Sequence, residues 1–138
     1  MERNTKILLV DDEREFVQTL SERLIMRDMG SVVAYDGESA LSMVDEEEPE
    51  VMILDLKMTG INGIEVLRKV KTRHPDVEVI ILTGHGSEEE RATCMKLGAF
   101  VYLHKPVNID LLTVILKQAN EKVQEQKVRK ARSLGLNG

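Results

Sequence analysis

The chain has only one cysteine, Cys94, among its 138 residues, and it lacks long apolar runs. A single cysteine cannot form a disulfide within the chain, which fits a protein of a reducing compartment. The apolar stretch Ile7 to Val10 is far too short for a signal peptide or a membrane span. We therefore expect a cytoplasmic protein with no membrane partner.

The composition is that of one ordinary globular domain. Hydrophobic residues make up 42% of the chain and charged residues 31%, as in typical soluble proteins. The net charge of −5 argues against nucleic acid as a direct partner. From Lys117 onward six basic residues stand against two acidic ones. Their signs alternate at helical spacing, which indicates a solvated helix face.

Five short runs rich in valine and isoleucine predict strands that are buried on both faces, as in a parallel sheet. Apolar residues recur at helical spacing after each run. This alternation predicts an α/β fold, a doubly wound (βα)₅ arrangement with helices on both faces of a five-stranded parallel sheet. The predicted strands are Lys6–Val10, Val32–Tyr35, Val51–Leu54, Val77–Leu82 and Phe100–Leu103.

Glycines and the apolar stripes predict where the helices end. The first helix should cover Glu13–Met29, with Gly30 supplying the positive φ of a C-terminal cap, and Gly98 should do the same for the fourth. The apolar stripe of the fifth helix fades at Val123, although helix-forming residues continue. We therefore predict one domain over residues 1–123 and a C-terminal helical extension or tail over residues 124–138.

Polar side chains follow four of the predicted strands. Asp11 and Asp12 follow the first strand, Asp55 the third, Thr83 the fourth and Lys105 the fifth. Ligands of such sheets bind at the carboxyl ends of the strands. Clustered carboxylates repel one another unless a cation lies between them, and Mg²⁺ prefers oxygen ligands. A helix cap would explain the first two aspartates alone, but the third favours a metal site.

Asp55 has a second potential role as a nucleophile. A carboxylate can attack phosphorus and form an aspartyl phosphate. Phosphoryl transfer depends mainly on positioning and on electrostatic stabilisation. Magnesium, the Lys105 ammonium and the Thr83 hydroxyl would supply that stabilisation here.

These motifs, taken in order, resemble the receiver domain of two-component response regulators, including chemotaxis receivers. They are Asp11-Asp12, Asp55 within Ile-Leu-Asp-Leu-Lys-Met, Thr83-Gly84 and Lys105-Pro106, and the resemblance covers about residues 6–123. It implies a flavodoxin-like sheet with strand order 2-1-3-4-5. It also implies a domain that is not an enzyme in the usual sense, because it catalyses only its own phosphorylation and dephosphorylation.

The resemblance assigns the metal ligands and the phosphoacceptor. Asp55 would accept a phosphoryl group from a phosphohistidine on a sensor histidine kinase. Asp12, Asp55 and the backbone carbonyl of Lys57 would ligate Mg²⁺, and Asp11 would act through a bound water. Lys57 and His85 would flank the phosphoryl group and modulate its lifetime.

The resemblance also implies how the phosphoryl group changes the domain. Lys105 would pair with the acceptor carboxylate and then with the phosphoryl group, and the Lys105–Pro106 bond would be cis. The added charge of about −1.5 to −2 would draw Thr83 inward, and Tyr102 would rotate into the space. The fourth helix, fifth strand and fifth helix would form the responding face, which would serve a homodimer, a downstream partner or an output domain linked through residues 124–138.

Three other functions fit parts of the pattern. Asp55-Leu56-Lys57-Met58-Thr59 resembles the loop of haloacid-dehalogenase-type phosphatases, but Lys57 replaces the second aspartate of that loop. A flavodoxin-like FMN module would need a Ser/Thr-rich turn where Asp11-Asp12-Glu13 would repel the phosphate. A receiver-like domain that binds partners without phosphorylation is the third.

Overall fold

Residues 6–135 are described by a computed structural model, in which five strands and five helices alternate along the chain. The strands are β1 (Ile7–Val10), β2 (Ser31–Ala34), β3 (Val51–Leu54), β4 (Glu78–Thr83) and β5 (Val101–His104). The helices are α1 (Arg14–Ile25), α2 (Gly37–Glu47), α3 (Gly63–Arg73), α4 (Glu88–Lys96) and α5 (Ile109–Ser133).

The strands form one parallel sheet in the order β2-β1-β3-β4-β5, which confirms the predicted fold class and strand order. β1 and β3 are neighbours, and Val10 at the end of β1 pairs with Leu54 at the end of β3. The next residue of each strand, Asp11 and Asp55, therefore lies at the same edge of the sheet. This edge is where parallel sheets bind ligands.

Alternating strand residues build two apolar layers. Leu8 and Val10 of β1 pack with the buried faces of α2, α3 and α4, whereas Ile7 and Leu9 pack with those of α1 and α5. Because both faces of the sheet are covered, the strands are almost continuously apolar. Within the described residues, no helix has the length and apolar character needed to cross a membrane.

The end of the first helix differs from the prediction. α1 ends at Ile25, not at Met29, and the positive φ belongs to Asp28 (φ 60°) while Gly30 has none. Aspartate tolerates this left-handed conformation better than most residues do. The carbonyl of Leu24 then accepts the Met29 amide at 2.9 Å. Gly98 does adopt the predicted positive φ, at 103°, after α4.

The last helix runs unbroken through Val123, so the predicted domain boundary does not coincide with the end of an element. Three side chains of α5 donate hydrogen bonds to the buried carboxylate of Glu50, which immediately precedes β3. The donors are Asn120 (3.3 Å), Gln124 (2.8 Å) and Lys127 (3.0 Å). The extension is therefore attached to the domain at the amino end of the sheet, at least as far as Lys127.

The basic residues of α5 also pair with other acidic groups of the domain. Lys122 lies 3.4 Å from the buried carboxylate of Glu78, and Lys130 contacts Asp76. These lysines are exposed to solvent, as predicted for this face, and they also form ion pairs with the domain. The final residues of the predicted tail, 136–138, lie outside the described part of the chain.

We expect Glu50→Gln to reduce the free energy of unfolding by about 2 kcal/mol at pH 7, because hydrogen bonds to a buried charge are lost. Burial acts to raise the pKa of Glu50, but hydrogen bonds from Lys127, the Lys6 amide and Gln124 outweigh it and leave the pKa lowered. The stabilisation is therefore present above the ordinary glutamate pKa and is lost as the pH falls through the folded-state pKa.

Urea unfolding at pH 7 and at about pH 3 measures this effect. The difference from the wild type should shrink as the pH is lowered, because protonation of Glu50 removes the charge that these hydrogen bonds stabilise. Glu46→Gln, on the exposed surface of α2, is the control and should change stability by less than about 0.5 kcal/mol. An equal effect of the two substitutions at pH 7 would show that Glu50 does not hold α5.

Candidate functional site

Three carboxylates meet at the carboxyl edge of the sheet. One oxygen each of Asp11, Asp12 and Asp55 lies within 4.8 Å of the other two. Asp11 and Asp55 are buried, whereas Asp12 is exposed. The Asp55 amide donates to the carbonyl of Val10 at 3.0 Å, which fixes the two strand ends side by side. This set of oxygen donors, open to water on one side, suits a hard cation such as Mg²⁺.

Burial disfavours the ionised form of the two inner carboxyls. It raises the pKa of Asp55, and the opposing effects of Lys105, the Thr83 hydroxyl and nearby backbone amides do not cancel it. Burial likewise raises the pKa of Asp11, and the charge of Asp55 adds to the increase. A divalent ion bound here would offset the cost of burying the ionised carboxyls, because a nearby opposite charge favours the charged form.

Lys105 reaches this cluster from the loop after β5. Its Nζ lies 2.7 Å from Asp11 and 2.6 Å from Glu13, but 4.0 Å from Asp55. The expected pairing with the acceptor carboxylate is thus the longest of the three contacts. Burial acts to lower the pKa of Lys105, but the hydrogen bonds to Asp11 and Glu13 outweigh it, so the pKa is raised. The Lys105–Pro106 peptide bond is cis.

Glu13 is a residue of this site to which the sequence assigned no function. Its carboxylate pairs with Lys105, and its amide donates to Asp11 at 2.9 Å. The ring of Phe16, on the first turn of α1, lies 4.3 Å from the Lys105 ammonium. The available signal was a third acidic residue directly after Asp11 and Asp12, but the sequence does not show that its carboxylate contacts Lys105, 92 residues further along the chain.

Thr83 and Tyr102 both approach Gly86, in the loop after β4. Thr83 is fully buried at the end of β4, and the Tyr102 hydroxyl is buried without a hydrogen-bond partner among the described residues. A Cβ on Gly86 would lie 1.5 Å from that hydroxyl and 3.1 Å from the Thr83 methyl group. The tyrosine ring is thus already turned inward, so the predicted rotation is not required to reach this position.

The two residues expected to flank the phosphoryl group have different surroundings. Lys57 is exposed, and its Nζ lies 3.2 Å from the Glu90 carboxylate of α4. The His85 side chain is exposed, and its amide donates to the Thr83 hydroxyl at 3.4 Å. The hydroxyl of Thr59, in the same loop as Lys57, donates to Asp12 at 3.4 Å.

Comparisons with known proteins show a family match over most of the chain. The family model described as the response regulator receiver domain matches residues 7–117. The transcriptional regulatory protein CpxR of Klebsiella pneumoniae is 39% identical over 125 residues, which cover 88% of this chain and 53% of that protein. The chain thus spans about half the length of the first curated relatives it matches.

Solved structures show the same likeness. A response regulator receiver domain from Clostridium thermocellum has 33% identity and a TM-score of 0.84, and the match covers 88% of this chain and 98% of that one. A response regulator from Burkholderia pseudomallei, solved with a phosphorylated aspartic acid and a calcium ion, has 26% identity and a TM-score of 0.78. That match covers 92% of this chain and 75% of the other.

The sheet order and the acidic edge define a flavodoxin-like α/β domain with a candidate metal site. The chain belongs to the response regulator receiver domain family of two-component systems. A receiver domain is not a classical enzyme, and this membership decides against the haloacid-dehalogenase and FMN-binding alternatives.

Proposed function

We propose that Asp55 accepts a phosphoryl group from the phosphohistidine of a sensor histidine kinase in the cytoplasm, in a reaction that requires Mg²⁺. The observation that carries this proposal is the buried Asp55 carboxylate, which has two further carboxylates within 4.8 Å and the Lys105 ammonium at 4.0 Å. The Burkholderia relative carries a phosphorylated aspartic acid on the same fold, which supports the choice of aspartate as acceptor.

In this proposal the three carboxylates act at the metal in two ways. Asp12 and Asp55, with the backbone carbonyl of Lys57, would hold Mg²⁺, and Asp11 would hold one of its waters. Bound there, the ion would neutralise charge on the carboxylates and on the transferred phosphoryl oxygens. Thr59 orients the Asp12 carboxylate through its hydroxyl.

The side chains then assist the transfer itself. A carboxylate oxygen of Asp55 forms a bond to phosphorus while the bond from phosphorus to the histidine nitrogen breaks, and that nitrogen keeps the electron pair. Lys105 exchanges its contact with Glu13 for a phosphoryl oxygen, and the Thr83 hydroxyl donates to another. Both groups are held close to Asp55 before the donor arrives, so little reorganisation is needed.

The phosphoryl group would then stabilise one arrangement of the face formed by α4, β5 and α5. Thr83 would be held by the phosphoryl oxygens, and Tyr102 would be held in the inward position that the structure already shows. Such a ligand shifts an existing equilibrium between two states. We propose that this face contacts a second copy or a downstream partner, and that residues 124–138 lead to an output domain.

Incubation with acetyl phosphate, a small-molecule phosphoryl donor, tests the proposal. We expect intact-mass spectrometry to show a gain of one phosphate when Mg²⁺ is present and almost none when the ion is removed by a chelator. No mass gain with Mg²⁺ would favour a receiver-like domain that acts without phosphorylation. Multiple turnover of a phosphomonoester would instead indicate a phosphatase.

A further inference from the structure

One ion pair connects the loop after Asp55 to helix α4. The Nζ of Lys57 lies 3.2 Å from Oε2 of Glu90. The pair spans the wall of an open cleft of about 370 Å³, whose lining includes Met58, Asn62 and Ile64. Lys57 is two residues after the proposed acceptor, in the same loop. Its ammonium nevertheless pairs with Glu90 and not with a group of the acidic cluster.

The same Glu90 carboxylate forms part of the cap of α4. Its Oε1 accepts a hydrogen bond from the Ser87 amide at 3.2 Å, and the Glu90 amide donates to the Ser87 hydroxyl at 3.1 Å. This reciprocal arrangement is a capping box, which determines where the helix begins. Glu90 thus joins the start of α4 to Lys57 with its two carboxylate oxygens.

We propose that Glu90 is a positioning residue that holds Lys57 away from the phosphoryl group. When this contact is lost, the first turn of α4 becomes less firmly held. The inference rests on the proposed phosphorylation of Asp55. A phosphoryl group carries about −1.5 to −2 charges, whereas Glu90 carries one, so the two compete for the same ammonium. When Lys57 turns to the phosphoryl group, the Glu90 side chain loses the ion pair that helps to fix it, so its hydrogen bond to the Ser87 amide should open more often.

This competition has two consequences for the phosphorylated domain. A lysine near the acyl phosphate shields it and orients an attacking water poorly, so Lys57 should slow hydrolysis once Glu90 releases it. The first turn of α4 loses a contact with the β3–α3 loop at the same time. The responding face proposed above includes this helix, and the ion pair provides a route from the acceptor to it that does not pass through Thr83 and Tyr102.

The lifetime of the phosphoryl group measures the first consequence. We expect Glu90→Gln, which keeps an acceptor for the Ser87 amide, to lengthen the half-life of phosphorylated protein roughly two- to fivefold, the range expected for an exposed ion pair. The same substitution in a Lys57→Ala background should have no effect. Glu89→Gln changes the same charge on the same turn and is the matched control, because Glu89 makes no ion pair among the described residues.

The salt dependence separates positioning from a structural effect. The lengthening caused by Glu90→Gln should diminish at about 1 M salt, because the Debye length falls to about 3 Å. A change of half-life that persists at high salt, or that is equally large in the Lys57→Ala background, would overturn the proposal.

Hydrogen exchange with beryllofluoride, a phosphoryl mimic, tests the second consequence. With Mg²⁺ and beryllofluoride bound, the Ser87 amide of the wild type should exchange several-fold faster than in the free protein, and Lys57→Ala should show fast exchange in both states. Beryllofluoride that binds, as seen by fluorine NMR, without changing exchange at Ser87 would overturn the coupling. Absence of any bound fluorine signal would instead contradict the phosphoacceptor proposal and this inference with it.

Discussion

Replacing Asp55 with asparagine is expected to abolish phosphate uptake from acetyl phosphate. The amide oxygen is a poor nucleophile and cannot form the acyl phosphate, while the size of the side chain is unchanged. Intact-mass spectrometry under the conditions that phosphorylate the wild type measures the loss. A variant that still gained one phosphate would show that another residue is the acceptor.

The stability of Asp55→Asn separates lost chemistry from lost folding. Because burial raises the pKa of Asp55, the ionised carboxyl is disfavoured in the folded protein. The protonated carboxyl is the form that favours folding. Its contribution to stability is complete below the ordinary aspartate pKa and is lost as the pH rises through the folded-state pKa. Without Mg²⁺, the variant should therefore be more stable than the wild type at pH 7, and the difference should vanish below about pH 4. A large loss of stability at pH 7 would contradict this reasoning.

Replacing Asp12 with asparagine should weaken Mg²⁺ binding by roughly tenfold or more, since even residues behind the direct ligands change metal affinity by 10–100-fold. Asp12 is the exposed member of the acidic cluster, so the change should not disturb the core. Titration calorimetry measures the affinity; the chain has no tryptophan to report binding by fluorescence.

The phosphorylation rate of Asp12→Asn should fall at limiting Mg²⁺ and recover in part as the ion concentration rises. Glu46→Gln, which removes one negative charge far from the cluster, should leave Mg²⁺ affinity unchanged. Equal affinities of the Asp12→Asn variant and the wild type would exclude Asp12 as a ligand.

The sequence predicted the parts of the fold that follow from local pattern. Strands β1 and β3 are nearly continuous apolar runs, and their observed bounds differ from the predicted ones by at most one residue. Their parallel pairing then brings Asp11 and Asp55 to one edge, which the strand-end rule anticipates. The three-aspartate cluster was predictable for this reason.

Contacts between distant elements were not predictable in the same way. Lys105 has three carboxylates within reach, and only the packing of the β5–α5 loop shows that Asp11 and Glu13 are nearest. The attachment of α5 depends on Glu50, which precedes β3 at the opposite end of the sheet from Asp55 and carries no motif. The periodic spacing of apolar residues shows which face of a helix or strand is buried. It does not show which polar side chains contact each other across the domain.

The position of the phosphoryl group tests the phosphoacceptor assignment most directly. Protein treated with acetyl phosphate and Mg²⁺ can be reduced with borohydride, which converts an aspartyl phosphate to homoserine, and then sequenced by tandem mass spectrometry. We expect homoserine at position 55 and aspartate retained at positions 11 and 12. Homoserine at another position, or phosphate that survives reduction on a serine, threonine or histidine, would contradict Asp55 as the acceptor.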